Sequence, residues 1–369
     1  MKIKDILSVL ETLAPPNYQE SYDNSGLIVG EYDTEITGVL ISLDCTESII
    51  DEAIKEGCNL VVAHHPIVFK GLKRFNNSNY VEKTVIKAIK NDIAIYAIHT
   101  NLDNATNGVN FHIAEKLGLK NVKILAPKKQ ILKKLVTFCP KNDTENILTA
   151  LAKAGAGQIG DYADCSFVSE GIGRFMPLEG TNPFIGEKNK LERVEENKIE
   201  VIFPSFLENK IMRALRDAHS YEEVSYDIFL LENHNQQVGA GAIGTLTNPI
   251  EEEDFLKYLK EKMQLNIIKH TAFLGKEIKK NIQTVAVCGG AGIFLLGAAM
   301  AQKADIFITA DVKYHEFFDT ENRIILADIG HYESEIFTKD LIYKVLSEKF
   351  SNIALKISKI NTNPVQYFK

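Results

Sequence analysis

Short apolar runs alternate with amphipathic helical segments along most of this chain, and this alternation restricts the fold more than any other feature. The first part carries the runs GLIVG, TGVLISLDCT and NLVVAHHP, with a helical stretch at Glu47–Glu56 between the last two. VEKTVIKAIKNDIAIYAIHTN continues the pattern, because a helical segment leads into another apolar run. Such alternation is typical of an α/β layer whose sheet is mostly parallel. In these sheets, ligands bind beyond the carboxyl ends of the strands.

The alternation stops near Pro127 and resumes at Gly239. The stretch between reads strand, helix, strand, strand, helix, strand within about 100 residues, which is the order of a ferredoxin-like unit. Its predicted strands are LVTFCP, residues 166–169, KIEVIFP and YDIFLL. Its predicted helices are one that ends at Ala154, capped by Asp143 or Thr144, and one over residues 206–218. Glycines 171, 173, 180 and 186 are predicted to lie in a loop before KIEVIFP, and ENHNQQ is predicted to be the exit linker. We therefore predict a two-part α/β body with mixed, mostly parallel sheets at 1–129 and 236–369. An inserted ferredoxin-like α+β domain at 130–235 interrupts this body.

Composition argues against several classes of function. Hydrophobic residues make up 45% and charged residues 25% of the chain, as in ordinary globular proteins. A formal net charge of −7 disfavours nucleic acid as a partner, because phosphate contacts need clustered lysine and arginine. No apolar run is long enough to predict a membrane span. The five cysteines include no CxxC pair, and Asp5 and Glu11 interrupt any signal-peptide core, so we expect a cytoplasmic protein with reduced thiols.

Five side chains at the ends of predicted elements form a candidate site: His64, His65, Asp103, His331 and Glu335. The adjacent histidines follow the apolar run VVA, and the proline after them helps to end the strand so that both rings can face one site. Asp103 comes shortly after the run AIYAI. His331 and Glu335 are four residues apart, which places them on one face of a helix.

This set of side chains favours a dinuclear metal centre. Three histidines and two carboxylates exceed the ligands of one closed zinc site that keeps an open position. They suit two divalent cations that share a bridging carboxylate, and such a pair can generate hydroxide near neutral pH. Without a thiolate ligand, Zn, Fe, Mn, Co and Ni all stay candidates. Each motif alone has a structural alternative, namely a core and a surface histidine, a capping histidine with an exposed glutamate, or a turn-forming aspartate.

Two further histidines are candidates for a catalytic role. His99 stands four residues before Asp103. It is either a hydrogen-bond partner of a metal-binding side chain, a proton carrier or a buried structural histidine. His315 in ADVKYHEFF follows a predicted strand end, and we expect it to face the site. The turn CGGAG after the strand TVAV either holds a phosphate on its backbone amides or only makes a tight turn into a helix. Its spacing is not GxGxxG, so no dinucleotide fingerprint is present.

Several motifs in fixed order resemble the Nif-three-like family, whose bacterial members are labelled GTP cyclohydrolase I type 2 homologs. These motifs are YDNSGLIVG, AHHPIVF, HTNLDNATNGVN, VAVCGGAG, ITADVKYHE and GHYESE. The resemblance implies a two-part α/β fold with two metals per chain. It implies that His65 and Asp103 hold one metal, that His64 and His331 hold the other, and that Glu335 bridges them. It also implies a toroidal homohexamer whose metal sites face an internal cavity, with an insert similar to the PII-like or CutA-like insert of longer bacterial members.

Three hypotheses about function follow. The first is a metal-dependent hydrolase acting on a nucleotide or another heterocycle, with GTP cyclohydrolase-like ring opening as one case. The second is a metal-handling or regulatory binding oligomer without turnover. The third is an interaction protein whose metals only stabilise the fold. The expected partners are other copies of the chain and a nucleotide substrate.

Overall fold

The computed structural model describes residues 1–274 and 281–368. They fall into two compact units, the first formed by Met1–Ala126 with Val238–Lys369 and the second by Pro127–Gln237. Among the described helices, none is both long and apolar enough to cross a lipid bilayer.

The described strands and helices alternate along much of the chain. The strands are β1 (Gly26–Val29), β2 (Gly38–Ser42), β3 (Leu60–Ala63), β4 (Ala94–Ala97), β5 (Lys120–Lys128), β6 (Leu132–Pro140), β7 (Ser166–Phe175), β8 (Glu192–Pro204), β9 (Tyr226–Leu231), β10 (Asn235–Glu251), β11 (Lys269–His270), β12 (Asn281–Val287), β13 (Ile306–Thr309), β14 (Ile325–Asp328) and β15 (Ala354–Ile357). The helices are α1 (Ile3–Leu13), α2 (Glu47–Glu56), α3 (Tyr80–Lys90), α4 (Thr100–Asp103), α5 (Val109–Lys116), α6 (Thr144–Ala154), α7 (Glu208–Ala218), α8 (Glu252–Lys262), α9 (Leu296–Ala301), α10 (His331–Glu335) and α11 (Thr338–Lys349).

The first unit contains a five-stranded sheet of order β1-β4-β3-β2-β15. Strands β15, β2, β3 and β4 run parallel, and β1 pairs antiparallel with β4 at the edge. All residues of β2, β3 and β4 are buried, as expected for parallel strands covered on both faces. The carboxyl ends of these three strands therefore meet at one edge of the sheet.

A second sheet of the same unit has the order β11-β14-β13-β12-β10-β5. Its strands β12, β13 and β14 are parallel, whereas β10 pairs antiparallel with β12 and β11 pairs antiparallel with β14. The predicted α/β class with mixed sheets is thus confirmed. One buried apolar cluster includes residues of both sheets and of α1, for example Ile3, Val62 and Ile308. Each fully buried aliphatic side chain of this kind contributes about 1.5–3 kcal/mol to stability.

The second unit holds the antiparallel sheet β7-β8-β6-β9, with α6 and α7 in the connections. Both helices contribute to its core, where Ile147 and Ile211 lie in one cluster with Leu135 and Ile199 of the sheet. The predicted glycine loop is partly wrong, because Gly171 and Gly173 lie inside β7. Their backbones pair with β8, and this pairing outweighs the weak strand propensity of glycine.

Two smaller predictions in this region also need correction. Asp143 occupies the position before α6, but its side chain does not cap the helix and instead accepts a hydrogen bond from Ser220. The polar segment ENHNQQ is not all linker, because β10 already begins at Asn235. For Asp143, a partner distant in sequence determines the local structure.

Candidate metal centre

The five predicted ligand residues lie together where the strand ends of the two sheets of the first unit meet. His64 and His65 directly follow β3, and Asp103 is the last residue of α4, shortly after β4. His331 and Glu335 are the first and last residues of α10, which begins three residues after β14. The Nε2 atoms of His65 and His331 are 3.4 Å apart, although 266 positions separate them in the chain.

His64 presents one ring nitrogen to the centre of the site. Its side chain is fully buried, and Nδ1 donates a hydrogen bond to the Ile98 carbonyl at 2.7 Å. That bond leaves Nε2 with a free lone pair. The Nε2 atom lies 3.6 Å from Asp103 Oδ1 and 3.9 Å from Glu335 Oε1. His64 Nε2 and Asp103 Oδ1 are both buried without a hydrogen-bond partner. Leaving such a group unsatisfied costs about 1–3 kcal/mol, and one divalent cation would satisfy both.

His65 and His331 approach the other oxygen of Glu335. Glu335 Oε2 lies 2.9 Å from His65 Nε2 and 3.1 Å from His331 Nε2. Glu335 itself is almost fully buried. Its carboxylate therefore turns one oxygen to each group of ligands, which is the position of a bridging ligand.

The grouping of ligands differs from the one that the family resemblance implies. Two clusters of ligand atoms within 4.8 Å contain Glu335, namely His64 with Asp103 and Glu335, and His65 with His331 and Glu335. Neighbouring residues of an extended chain point in opposite directions. The Ile98 carbonyl holds His64 on the β4 side, next to Asp103, whereas Asp44 holds His65 beside His331.

Three aspartates hold the histidine rings from behind, and the sequence reasoning missed all of them. Asp44 Oδ1 accepts from His65 Nδ1 at 2.7 Å, and Asp311 Oδ2 accepts from His331 Nδ1 at 2.7 Å. Asp23 Oδ1 does the same for His99 Nδ1 at 2.7 Å, and the Thr362 hydroxyl donates to Asp44. Such partners fix the ring orientation of metal-binding histidines and raise their basicity. Their positions in the sequence could have identified two of them, because Asp44 and Asp311 each stand two residues after a buried strand.

The acidic neighbours change the proton affinity of two histidines. Burial alone lowers the pKa of His65, but hydrogen bonds to Asp44 and Glu335 outweigh burial and raise it to about 10. For His331, burial is again outweighed, and the contacts with Glu335 and Asp311 raise the pKa to about 9. A metal must displace these protons before it can bind the rings.

The two carboxylates respond in opposite directions. Burial and the charge of Glu335 raise the pKa of Asp103 to about 7. Burial also favours the neutral form of Glu335, but hydrogen bonds from His331 and His65, together with the nearby ring of His64, hold its pKa well below the usual range. The bridging position therefore carries a negative charge, as a metal ligand requires.

The glycine turn after β12 makes room for Glu335. A Cβ atom at Gly290 would lie 2.5 Å from Glu335 Oε1, and Gly290 has a φ of +61°. The amides of Gly289, Gly290 and Gly292 donate to Asn110, Ser334 and Thr309. Because side chains occupy these amides, the tight-turn interpretation is favoured over phosphate binding.

The two candidate catalytic histidines have different surroundings. The His99 ring lies 5.3 Å from the His64 ring and 5.4 Å from the His65 ring, and the ligand atoms of these three residues form another close cluster. His315 is exposed, and its described ring contacts are with Tyr314 and Phe318. It belongs to none of the ligand clusters, so the structure does not bring it to the site with the others.

A cavity of about 620 Å³ opens beside the centre. His65, His99 and His331 contribute to its wall, together with the aromatic rings of Phe69, Tyr332 and Tyr367, with Lys269 and with Asn363. This volume is typical of small-molecule sites.

Comparisons with known proteins agree with the fold and with the resemblance. The family model described as Duf34/NIF3 (NGG1p interacting factor 3) matches residues 1–364. A Bacillus subtilis (strain 168) protein called "GTP cyclohydrolase 1 type 2 homolog" is 37% identical over 369 residues, covering 99% of this chain and 98% of the relative. A solved Bacillus cereus protein related to NIF3 superposes with a TM-score of 0.85 at 37% identity and covers 100% and 99% of the two chains. Staphylococcus aureus protein SA1388 superposes with a TM-score of 0.79 at 31% identity, with the same coverage.

Proposed function

We propose that this chain, which belongs to the Duf34/NIF3 family, is a metal-dependent hydrolase with two divalent cations per chain. The observation that carries the proposal is the carboxylate of Glu335, whose two oxygens face two separate groups of ligand atoms. Metals bound there would polarise a substrate and lower the pKa of water.

The donor set supports this assignment and restricts the metal. His64, Asp103 and Glu335 Oε1 would hold one cation, and His65, His331 and Glu335 Oε2 the other. Imidazole and carboxylate ligands fit Zn, Fe, Mn, Co and Ni.

A nucleotide or a similar heterocycle is the proposed substrate. The cavity beside the centre offers aromatic side chains, namely Phe69, Tyr332 and Tyr367, for contact with a flat ring. His99 lies on the same wall with its Nδ1 held by Asp23, so its other nitrogen is positioned to move a proton at the substrate. The name of the Bacillus subtilis relative supports a GTP cyclohydrolase-like reaction as the first case to try.

The remaining parts of the proposal concern organisation. The segment 130–235 is proposed as an inserted ferredoxin-like domain of the PII-like or CutA-like kind, supported by the strand order β7-β8-β6-β9. A cytoplasmic homohexamer is proposed from the family resemblance. Analytical ultracentrifugation tests the assembly, and a monomer at micromolar concentration would contradict it.

Metal analysis combined with turnover tests the proposal. Protein purified without chelators is compared with Glu335→Gln and with the control Glu333→Gln, which changes a carboxylate of the same helix outside both ligand clusters. We expect two metals per chain in the wild type and in the control, and one or none in Glu335→Gln. Hydrolysis of GTP or another nucleotide by the loaded wild type, lost in Glu335→Gln, completes the expected result.

The same experiment separates the rival function. Two metals per chain without turnover of any nucleotide would favour a metal-handling or regulatory oligomer and would contradict the hydrolase. Absence of bound metal in the wild type would contradict both.

A further inference from the structure

The second unit contains a cavity of its own, of about 630 Å³, on the open face of its sheet. Phe138 and Lys198 line this cavity, whereas their neighbours Cys139 and Ile199 belong to the core beneath the helices. Because successive side chains of a strand point to opposite faces, the cavity lies on the face that α6 and α7 do not cover. None of the five candidate metal ligands belongs to it.

Two glycines of β7 shape the cavity wall, since one leaves open space and the other makes room for Glu196. A Cβ atom at Gly171 would meet no atom within 4 Å, so open space lies above this position. A Cβ atom at Gly173 would lie 1.9 Å from Glu196 Oε2, so the Glu196 carboxylate rests directly over this glycine. Gly171 is also the register partner of Glu196 across the sheet. The glycines thus replace side chains that would otherwise fill the face beside Glu196.

Glu196 is a buried carboxylate in the wall of this cavity. It is only 7% exposed, and its Oε1 accepts a hydrogen bond from the Tyr221 hydroxyl at 2.8 Å. Lys198 pairs with Glu200, and Lys141 pairs with Glu170 and Glu195. Throughout residues 1–274 and 281–368, no lysine, arginine or histidine forms an ion pair with Glu196. A buried charge is costly unless a partner of opposite charge compensates it.

Aromatic side chains line the same cavity as this carboxylate. Phe138, Phe175, Phe184 and Tyr221 all line the cavity, and the Phe175 and Tyr221 ring centroids are 6.0 Å apart. The segment that carries Phe184 is tied down by the Asn182 amide, which donates to Glu222 at 2.8 Å. Aromatic faces attract cations and also bury the apolar part of a ligand. The net charge of the wall has the matching sign, since four glutamates and only two cationic side chains line it.

We propose that this cavity binds an organic ammonium ion, namely a primary or secondary amine carried on an aromatic or apolar body. The ammonium group donates to Glu196 over the Gly173 backbone, and the body packs among the aromatic rings. This site is independent of the metal centre, because it needs none of the metal ligands.

Binding of a matched pair of probes to the full-length protein tests the proposal. The pair is 2-phenylethylammonium and the uncharged 2-phenylethanol, titrated by calorimetry or ligand-observed NMR. We expect the amine to bind roughly ten- to hundredfold more tightly than the alcohol, since hydrogen bonds to a charged group contribute about 1.5–3 kcal/mol. Glu196→Gln should abolish this preference, and the control Glu195→Gln, which changes an exposed carboxylate next to it in β8, should retain it.

A second variant keeps the test decisive if Glu196→Gln fails to fold. Gly171→Val adds a side chain in the open space and suits a strand, so it should remove amine binding without unfolding the protein. Equal affinity for amine and alcohol, absence of amine binding to the wild type, or unchanged amine binding in folded Glu196→Gln or Gly171→Val would overturn the proposal. Metal content measured on the same samples keeps this outcome separate from that of the proposed hydrolase.

Discussion

The candidate metal centre of the first unit and the cavity of the second unit both place a buried glutamate over glycine backbone, but their surroundings differ. Glu335 lies over Gly290 and receives hydrogen bonds from histidines that aspartates hold in place. Glu196 lies over Gly173, and its hydrogen bond comes from the neutral hydroxyl of Tyr221. Nitrogen donors around a carboxylate are suited to a metal ion, whereas a cavity that combines a carboxylate with aromatic rings is suited to an organic cation. The chemistry of each site therefore depends on the residues around the glutamate.

Metal removal should produce the largest difference between the two units. Ligand binding stabilises the native state by about 4 kcal/mol when the metal concentration is a thousand times its dissociation constant. We expect chelation to increase amide hydrogen exchange in β3, α10 and β14 and to leave β6 to β9 unchanged. Hydrogen exchange with mass spectrometry measures this directly. An equal increase in both units would contradict a metal effect confined to the first.

Metal affinity should fall steeply as the pH falls. The pKa values of His65 and His331 are raised to about 10 and about 9, so both rings carry two protons at neutral pH in the metal-free protein. Each proton that metal binding displaces weakens the apparent affinity about tenfold for every pH unit below these values. Calorimetry in two buffers of different ionisation enthalpy counts the released protons. Proton release only below about pH 6.5, the ordinary histidine range, would contradict the raised values.

Removing one orienting aspartate should weaken metal binding without removing a ligand. Asp44→Asn loses the charged acceptor of His65 Nδ1, and loss of such a partner typically costs ten- to a hundredfold, or about 1.4–2.7 kcal/mol, in metal affinity. Asp51→Asn is the matched control, because Asp51 is an exposed partner of Lys87. Competition with a fluorescent chelator gives the affinities. Equal affinity in the two variants would show that Asp44 does not orient the ligand.

Replacing one glycine of each region by alanine should give the smallest of the expected effects, a difference in the free energy of unfolding. Gly290→Ala places a Cβ atom against Glu335 at a positive φ, and we expect a loss of about 1–2 kcal/mol of unfolding free energy together with weaker metal binding. Gly171→Ala meets no atom within 4 Å and should change stability by less than about 1 kcal/mol. Urea unfolding of both variants measures the difference. A larger loss of unfolding free energy in Gly171→Ala than in Gly290→Ala would contradict this prediction.

Local sequence patterns were sufficient for the parts of the site that follow strand ends. His64 and His65 come directly after β3, and His331 and Glu335 have the spacing of one helix face, so apolar runs and periodicity located them. The alternation of apolar runs and helical segments likewise predicted the α/β class.

Contacts between distant parts of the chain could not be predicted in this way. His65 meets Glu335 across 270 positions, and no local pattern indicates which histidine stands beside which carboxylate. Gly171 and Gly173 have the composition of a loop, and only their pairing with β8 makes them strand residues. The cavity beside them also needs residues of the loop around Phe184, which lies far from Glu196 in the local pattern of the strands, so no local pattern predicts it.

The most direct test of the account is the location of metals in a crystal of the protein grown with Mn²⁺. An anomalous difference map is predicted to contain two peaks per chain, one among His64, Asp103 and Glu335 and the other among His65, His331 and Glu335. A single peak, or peaks outside these two groups, would contradict a carboxylate-bridged pair at the meeting edge of the two sheets.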